Sequence, residues 1–168
     1  MTIAEVVQEG SGIPKPRLLE LQERAREMAR YYYDSFTGKL HAMRAGAEIY
    51  ARTNNECEAA ELFACLRNME DFYAGIPFND LQTREEFQPL FQVRKLLPEL
   101  RNSLNNFVNE KTEQRKIEFN QRLHEIGQHG GVYRVTLTKI LEEIRKFPEG
   151  KDFQLEVRNP TTGEVAYL

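Results

Sequence analysis

Apolar side chains recur at helical spacing over most of this chain. Leu18, Leu21, Ala25, Met28, Tyr32, Phe36, Leu40, Met43, Ala47 and Tyr50 follow one another at steps of three or four, the interval that stacks side chains on one face of an α-helix. The phase holds across Thr37-Gly38, and a mid-helix glycine costs only about 1 kcal/mol relative to alanine. The pattern therefore predicts one long helix from Arg17 to the neighbourhood of Arg52, with a broken pair as the fallback. Asn55 can cap a second helix whose first turn holds Glu56 and Glu58 and whose apolar stripe is Ala59, Leu62, Phe63, Leu66, Met69 and Tyr73. Gly75 stops it and Pro77 prevents resumption. The short Asn54-Asn55 link predicts an antiparallel hairpin.

A loop over 76–82 then leads to Thr83 and Glu86, spaced as a capping box. Pro89 and Pro98 each remove a helix donor and divide the next stretch into 83–88, 89–97 and a long helix from Pro98 to Ile126. Leu97, Leu100, Leu104, Phe107 and Val108 form one apolar cluster on it, and Phe119, Leu123 and Ile126 a second. The eight residues from Asn109 to Lys116 between them hold no apolar side chain, the mark of a polar shaft joining two packing environments. Asn102, Asn105, Asn106 and Asn109 make an amide stripe on the same helix. The Gly-rich stretch 127–131 reads as its end.

The tail changes period. Val132, Val135 and Leu137 open an extended or helix-entry segment, and Leu137, Ile140, Leu141 and Ile144 form a short amphipathic helix closed by Pro148 and Gly150. Phe153, Leu155 and Val157 alternate with polar residues as a half-buried strand does, and the turn 159–163 returns a second strand from Glu164 to Leu168. This order resembles the short strand–helix–hairpin modules of small phage and bacterial proteins, which implies a phage or mobile-element setting and transfers no functional residue. The expected fold is mainly α, an antiparallel helical hairpin plus a long, proline-interrupted helix, with a small C-terminal helix and β-hairpin. Three regions are expected: a flexible arm over 1–16, broken by Gly10-Ser11-Gly12 and Pro14-Lys15-Pro16, a helical domain over 17–131, and the module over 132–168.

Composition narrows the function classes. The 168 residues carry a net charge of −3, and 40% are hydrophobic, enough for a core without metal or disulfide support. Residues 1–82 sum to −4 and residues 83–168 to +1, far from the basic excess of a phosphate-coating domain. Cys57 and Cys65 lie on one helix with Cα atoms about 12 Å apart, too far to bridge, and are expected as reduced core fillers. The N-terminus lacks a basic, then apolar leader, and no apolar run approaches the ~20 residues of a membrane span. A cytoplasmic location is the resulting expectation.

Catalytic signatures are missing from the sequence. There is no HExxH, GxSxG, phosphate-loop or dinucleotide fingerprint, no zinc spacing, and His41, His124 and His129 lie on separate elements. No catalytic residue, cofactor or metal ligand is assigned, and the chain is read as a non-enzyme. The leading expectation is a protein that binds another protein or itself through helical surfaces, as adaptor, assembly component or inhibitor. Its interface candidates are Tyr31 and Tyr33, tyrosines beside Arg30, and the amides Asn102, Asn105 and Asn109, which can fix register against a second copy. The alternative is nucleic-acid association through Arg94, Lys95, Arg101, Lys111, Arg115, Lys116 and Arg122, seven basic side chains against four glutamates within 94–122, with the C-terminal hairpin as a wing.

Overall fold

The computed structural model describes residues 15–32, 35–159 and 162–168. The expected arm over 1–16 therefore lies almost wholly outside the described residues, and Tyr33 lies outside them entirely. The fold is mainly helical, with a small antiparallel two-stranded sheet near the C-terminus. Its elements are α1 (Lys15–Ala29), α2 (Ser35–Thr53), α3 (Glu56–Ala74), a short α4 (Phe78–Thr83), α5 (Gln88–Asn109), α6 (Glu113–Arg145), β1 (Glu156–Arg158) and β2 (Val165–Tyr167). Single 3₁₀ turns stand at Glu85–Phe87 and Pro148–Gly150. The elements group into two compact units, one of residues 35–133 and one of residues 15–32 with 134–168.

In the unit of residues 35–133, α2 and α3 form the antiparallel hairpin. Gly46 and Leu62, nearly equidistant from the turn, lie against each other, and Asn54 turns the chain in the left-handed region at φ 55°. Asn55 caps α3 as its side-chain oxygen accepts the Cys57 amide at 2.9 Å. The helix α5 packs on α3, and Phe107 at its end meets Tyr50 edge-on at 5.5 Å and stacks on Phe119 at 6.3 Å. Phe107 and Phe119 are fully buried. Side chains of that size contribute about 1.5–3 kcal/mol each on burial, so this junction of α2, α5 and α6 is a principal part of the unit's core.

The second unit joins distant parts of the sequence. Leu18, Leu21, Ala25 and Met28 of α1 are buried, as are Leu137, Leu141 and Ile144 at the end of α6 and Leu155 and Val157 beside and within β1. Gly150 sits where a side chain cannot: a Cβ there would meet the Ile144 carbonyl oxygen at 2.2 Å and Leu18 Cδ1 at 3.0 Å. Arg145 closes the tail by donating to the carbonyls of Phe153 and, at 2.6 Å, Leu168. In the hairpin Glu156 pairs with Tyr167 and Arg158 with Val165, and Gly163 adopts φ +78° in the turn, a conformation glycine takes freely.

Several sequence expectations need correction. The helix expected over Arg17 to Arg52 ends at Ala29, where Arg30, Tyr31 and Tyr32 donate to carbonyls three residues back and tighten the last turn. The stripe nevertheless resumes in phase in α2. The loop over 76–82 is largely α4, and Thr83 makes no capping box: its hydroxyl donates to the Asn79 carbonyl at 2.8 Å and finishes α4. Pro98 neither opens a segment nor stops one, because it lies exposed inside a continuous α5. The expected rod through 109–116 does not exist. The chain turns at 110–112, and the polar side chains work in that turn rather than on a shaft. The Gly-rich stretch 127–131 lies inside α6, and the extended segment and separate short helix expected from Val132 onward are its continuation. Phe119, Leu123, Ile126, Gly130, Tyr133 and Leu137 keep one buried face through it at steps of four and three. Packing outweighs glycine's local cost, which is about 1 kcal/mol per residue. Cys57 is exposed and Cys65 half-buried, so neither is a core filler.

Candidate functional site

The basic side chains of 94–122 fall into two groups within the unit of residues 35–133. Arg101 makes a two-pronged ion pair with Glu70, at 2.6 and 2.7 Å. Those hydrogen bonds hold its guanidinium further on the protonated side than usual. Arg115 pairs with Glu118 and Glu110, and Arg122 with Glu125. Lys116 reaches Glu48 at 3.0 Å and Glu113 at 3.3 Å, and hydrogen bonds to these two raise its pKa. Lys111 donates to the Tyr50 carbonyl at 3.0 Å and to Asn54, with its ammonium 5.1 Å from the Tyr50 ring centroid. Four of the seven cations are thus neutralised by carboxylates, and a fifth closes the C-terminal end of α2.

Arg94 and Lys95 differ. Neither has a carboxylate partner among the described residues, and Glu99, one turn beyond Lys95, makes no ion pair with it. Both sit over aromatic rings instead. The Arg94 guanidinium lies 5.6 Å from the centroid of Phe78, and the Lys95 ammonium 5.2 Å from that of Phe91. The rings form a tilted pair at 6.1 Å. Phe78 is 52% exposed although it is among the largest apolar side chains of the unit. Its position has a local cause: Pro77 directs the chain into α4, and Arg94 Nη1 donates to the Ile76 carbonyl at 3.2 Å. The cluster is a tilted aromatic pair, Phe78 exposed and Phe91 half-buried, with one cation over each ring. Phe78 and Phe91 were not anticipated from the sequence, where 76–82 read as a loop. The available signal was Phe91 at three and four residues before Arg94 and Lys95, the spacing of helix neighbours.

The predicted amides lie further along the same helix. Asn102, Asn105 and Asn109 are exposed. With Phe91, Lys95 and Pro98 they mark a line at steps of four and three down the outside of α5. Tyr31 is half-buried just beyond the end of α1 and belongs to the other unit. His41 and His124 are exposed, and His129 is half-buried. His124 lines an open depression of about 630 Å³ with Arg44, Ile117, Asn120, Gln121 and Glu125. The Oδ1 of Asn120 is buried without a hydrogen-bond partner. No group of three or more metal-ligating side chains occurs among the described residues, and none of their helices is long and apolar enough to cross a membrane. No family model, curated protein or solved structure matches the chain.

Proposed function

We propose that the chain is a non-enzymatic protein-interaction protein, an adaptor, assembly component or inhibitor, that pairs with a second copy of itself along the outside of α5. The observation that carries this reading is the run Pro98, Asn102, Asn105 and Asn109, which is exposed, uncharged and spaced by fours and threes. That is the interval of a seam between two helices, and amides in such a seam set register. Asparagine is a poor helix former, so three at these positions weaken α5 unless a partner's amides offset the cost. The outer face of α1 looks different: it exposes charged side chains, Glu20, Glu23 and Arg26.

Light scattering coupled to size exclusion tests the pairing. The expected result is twice the chain mass at tens of micromolar, falling to a monomer when Asn102→Glu and Asn105→Glu place like charges across the seam. A wild-type monomer throughout would sink the reading. Nucleic-acid association is a second reading, supported by Arg94 and Lys95 over the rings of exposed Phe78 and half-buried Phe91, a combination that suits stacked bases. The carboxylates on Arg101, Arg115, Lys116 and Arg122 weigh against it. A low-salt gel shift with duplex and single-stranded probes separates the two readings.

A further inference from the structure

We infer that the cation-flanked aromatic pair at Phe78 and Phe91 is a docking site for an acidic protein segment carrying an apolar anchor. This rests on the protein-interaction reading and adds the chemistry of a second partner. Charge complementarity is the argument. Nearby cations of the same stretch are cancelled within the chain, whereas half-buried Arg94 and exposed Lys95 have no carboxylate partner among the described residues and stand beside 52%-exposed Phe78. Arg94 has five N–H donors, and only the one to the Ile76 carbonyl is used within the described residues. Its guanidinium is already oriented by that bond and by the Phe78 ring, so a carboxylate arriving at its free edge meets donors whose conformational entropy has largely been lost. Lys95 adds a second positive charge about one ring away. The exposed face of Phe78 supplies what a carboxylate alone would not need, an apolar surface for an aromatic or aliphatic side chain of the partner.

An acidic polypeptide fits this patch better than a nucleic acid does. Two free cations release few counterions, so the phosphate-backbone term is small; binding log-log slopes near −2 belong to such a footprint, against about −5 to −9 for proteins that hold a strand by six to ten phosphates. The neutralised cations further along α5 and α6 offer no track for a strand to follow. A peptide needs no track. One or two carboxylates and an anchor within a single helical turn match the dimensions of the patch.

The test is fluorescence anisotropy on the full chain. The probe is a fluorescein-labelled amphipathic peptide of about four helical turns, with Asp and Glu on one face and Phe and Leu anchors on the other. Controls are the same peptide with Asn and Gln in place of the acids, and a single-stranded oligonucleotide of similar length. The expected result is binding of the acidic peptide that weakens at high salt and falls about tenfold or more with Lys95→Glu or Phe78→Ser. Both residues are at the surface, and circular dichroism confirms that the variants remain folded. The Lys95→Glu chain should in turn gain affinity for a Lys-substituted version of the peptide. No binding, equal binding of the neutral peptide, indifference to Lys95→Glu, or tighter binding of the oligonucleotide would each overturn the inference. A chain that is dimeric through Asn102 and Asn105 but does not take the peptide loses only this inference. A chain that takes the peptide but stays monomeric loses only the self-pairing.

Discussion

The unit of residues 35–133 and the unit of residues 15–32 with 134–168 bury their apolar faces by different routes. The first is continuous in sequence: α2 and α3 pack across the Asn54-Asn55 turn, α4 packs against the α5 that follows it, and α5 packs on α3. The second is closed by contacts such as Arg17 with Glu143, 126 positions apart. Loop-closure entropy grows only slowly with length, by about 0.6 kcal/mol per doubling, so the distant closure is affordable. It does, however, leave α1 without its own partners until the end of the chain is made. The first unit packs mainly between elements near one another in sequence, while the second depends on the close fit of a few sites such as Gly150.

The sharpest way to probe that difference is to damage each unit at its tightest point. Phe107→Ala removes a fully buried ring that touches both Tyr50 and Phe119. The expected loss is about 3–5 kcal/mol in urea unfolding, with amide protection falling across α2, α3 and α5. Gly150→Ala comes next, at about 1–3 kcal/mol or somewhat more, because the new methyl collides with backbone and cannot be relieved by rotating a side chain. Its effect should fall on α1, the end of α6 and the hairpin, with exchange in α3 and α5 close to wild type. Equal loss of protection everywhere would erase the distinction between the units. The smallest effect concerns the first turns of α6. Hydrogen bonds from Gln114 and then Arg115 hold the Glu118 carboxyl below its usual pKa. A carboxylate whose folded pKa is depressed favours the folded state above the ordinary carboxylate range, and this contribution fades as pH falls through the folded value. A carbon-detected NMR titration should therefore show Glu118 titrating late on acidification, and Gln114→Ala should bring it back toward a free glutamate.

The stripes were the legible part of the fold. Leu18 to Tyr32, Leu40 to Tyr50, Ala59 to Tyr73 and Leu97 to Phe107 are buried much as their spacing predicts, and Asn55 caps where a cap was expected. Breaks and continuations were not legible, because they turn on tertiary packing that a local reading does not weigh. An unbroken phase concealed the tight turn at Arg30 to Tyr32. Three glycines concealed a helix whose buried face runs straight through them. The polar run from Asn109 to Lys116 misled for a related reason: side chains that look solvated in sequence are the ones that fasten a turn. Of the candidate site, the amide line and the list of cations could be read from the sequence. Which cations remain unpaired could not, since Glu70 and Glu48 reach Arg101 and Lys116 only through the fold.

That turn has a practical consequence. Surface connections between helices are the usual place to graft an epitope or a fluorophore peptide, because water already surrounds them. Here Lys111 leaves the surface connection to hold the carbonyl of Tyr50 and the side chain of Asn54, so extra residues on either side of it would detach the last turn of α2 from its cation. The linker between α5 and α6 is thus a poor site for a graft, despite its exposure.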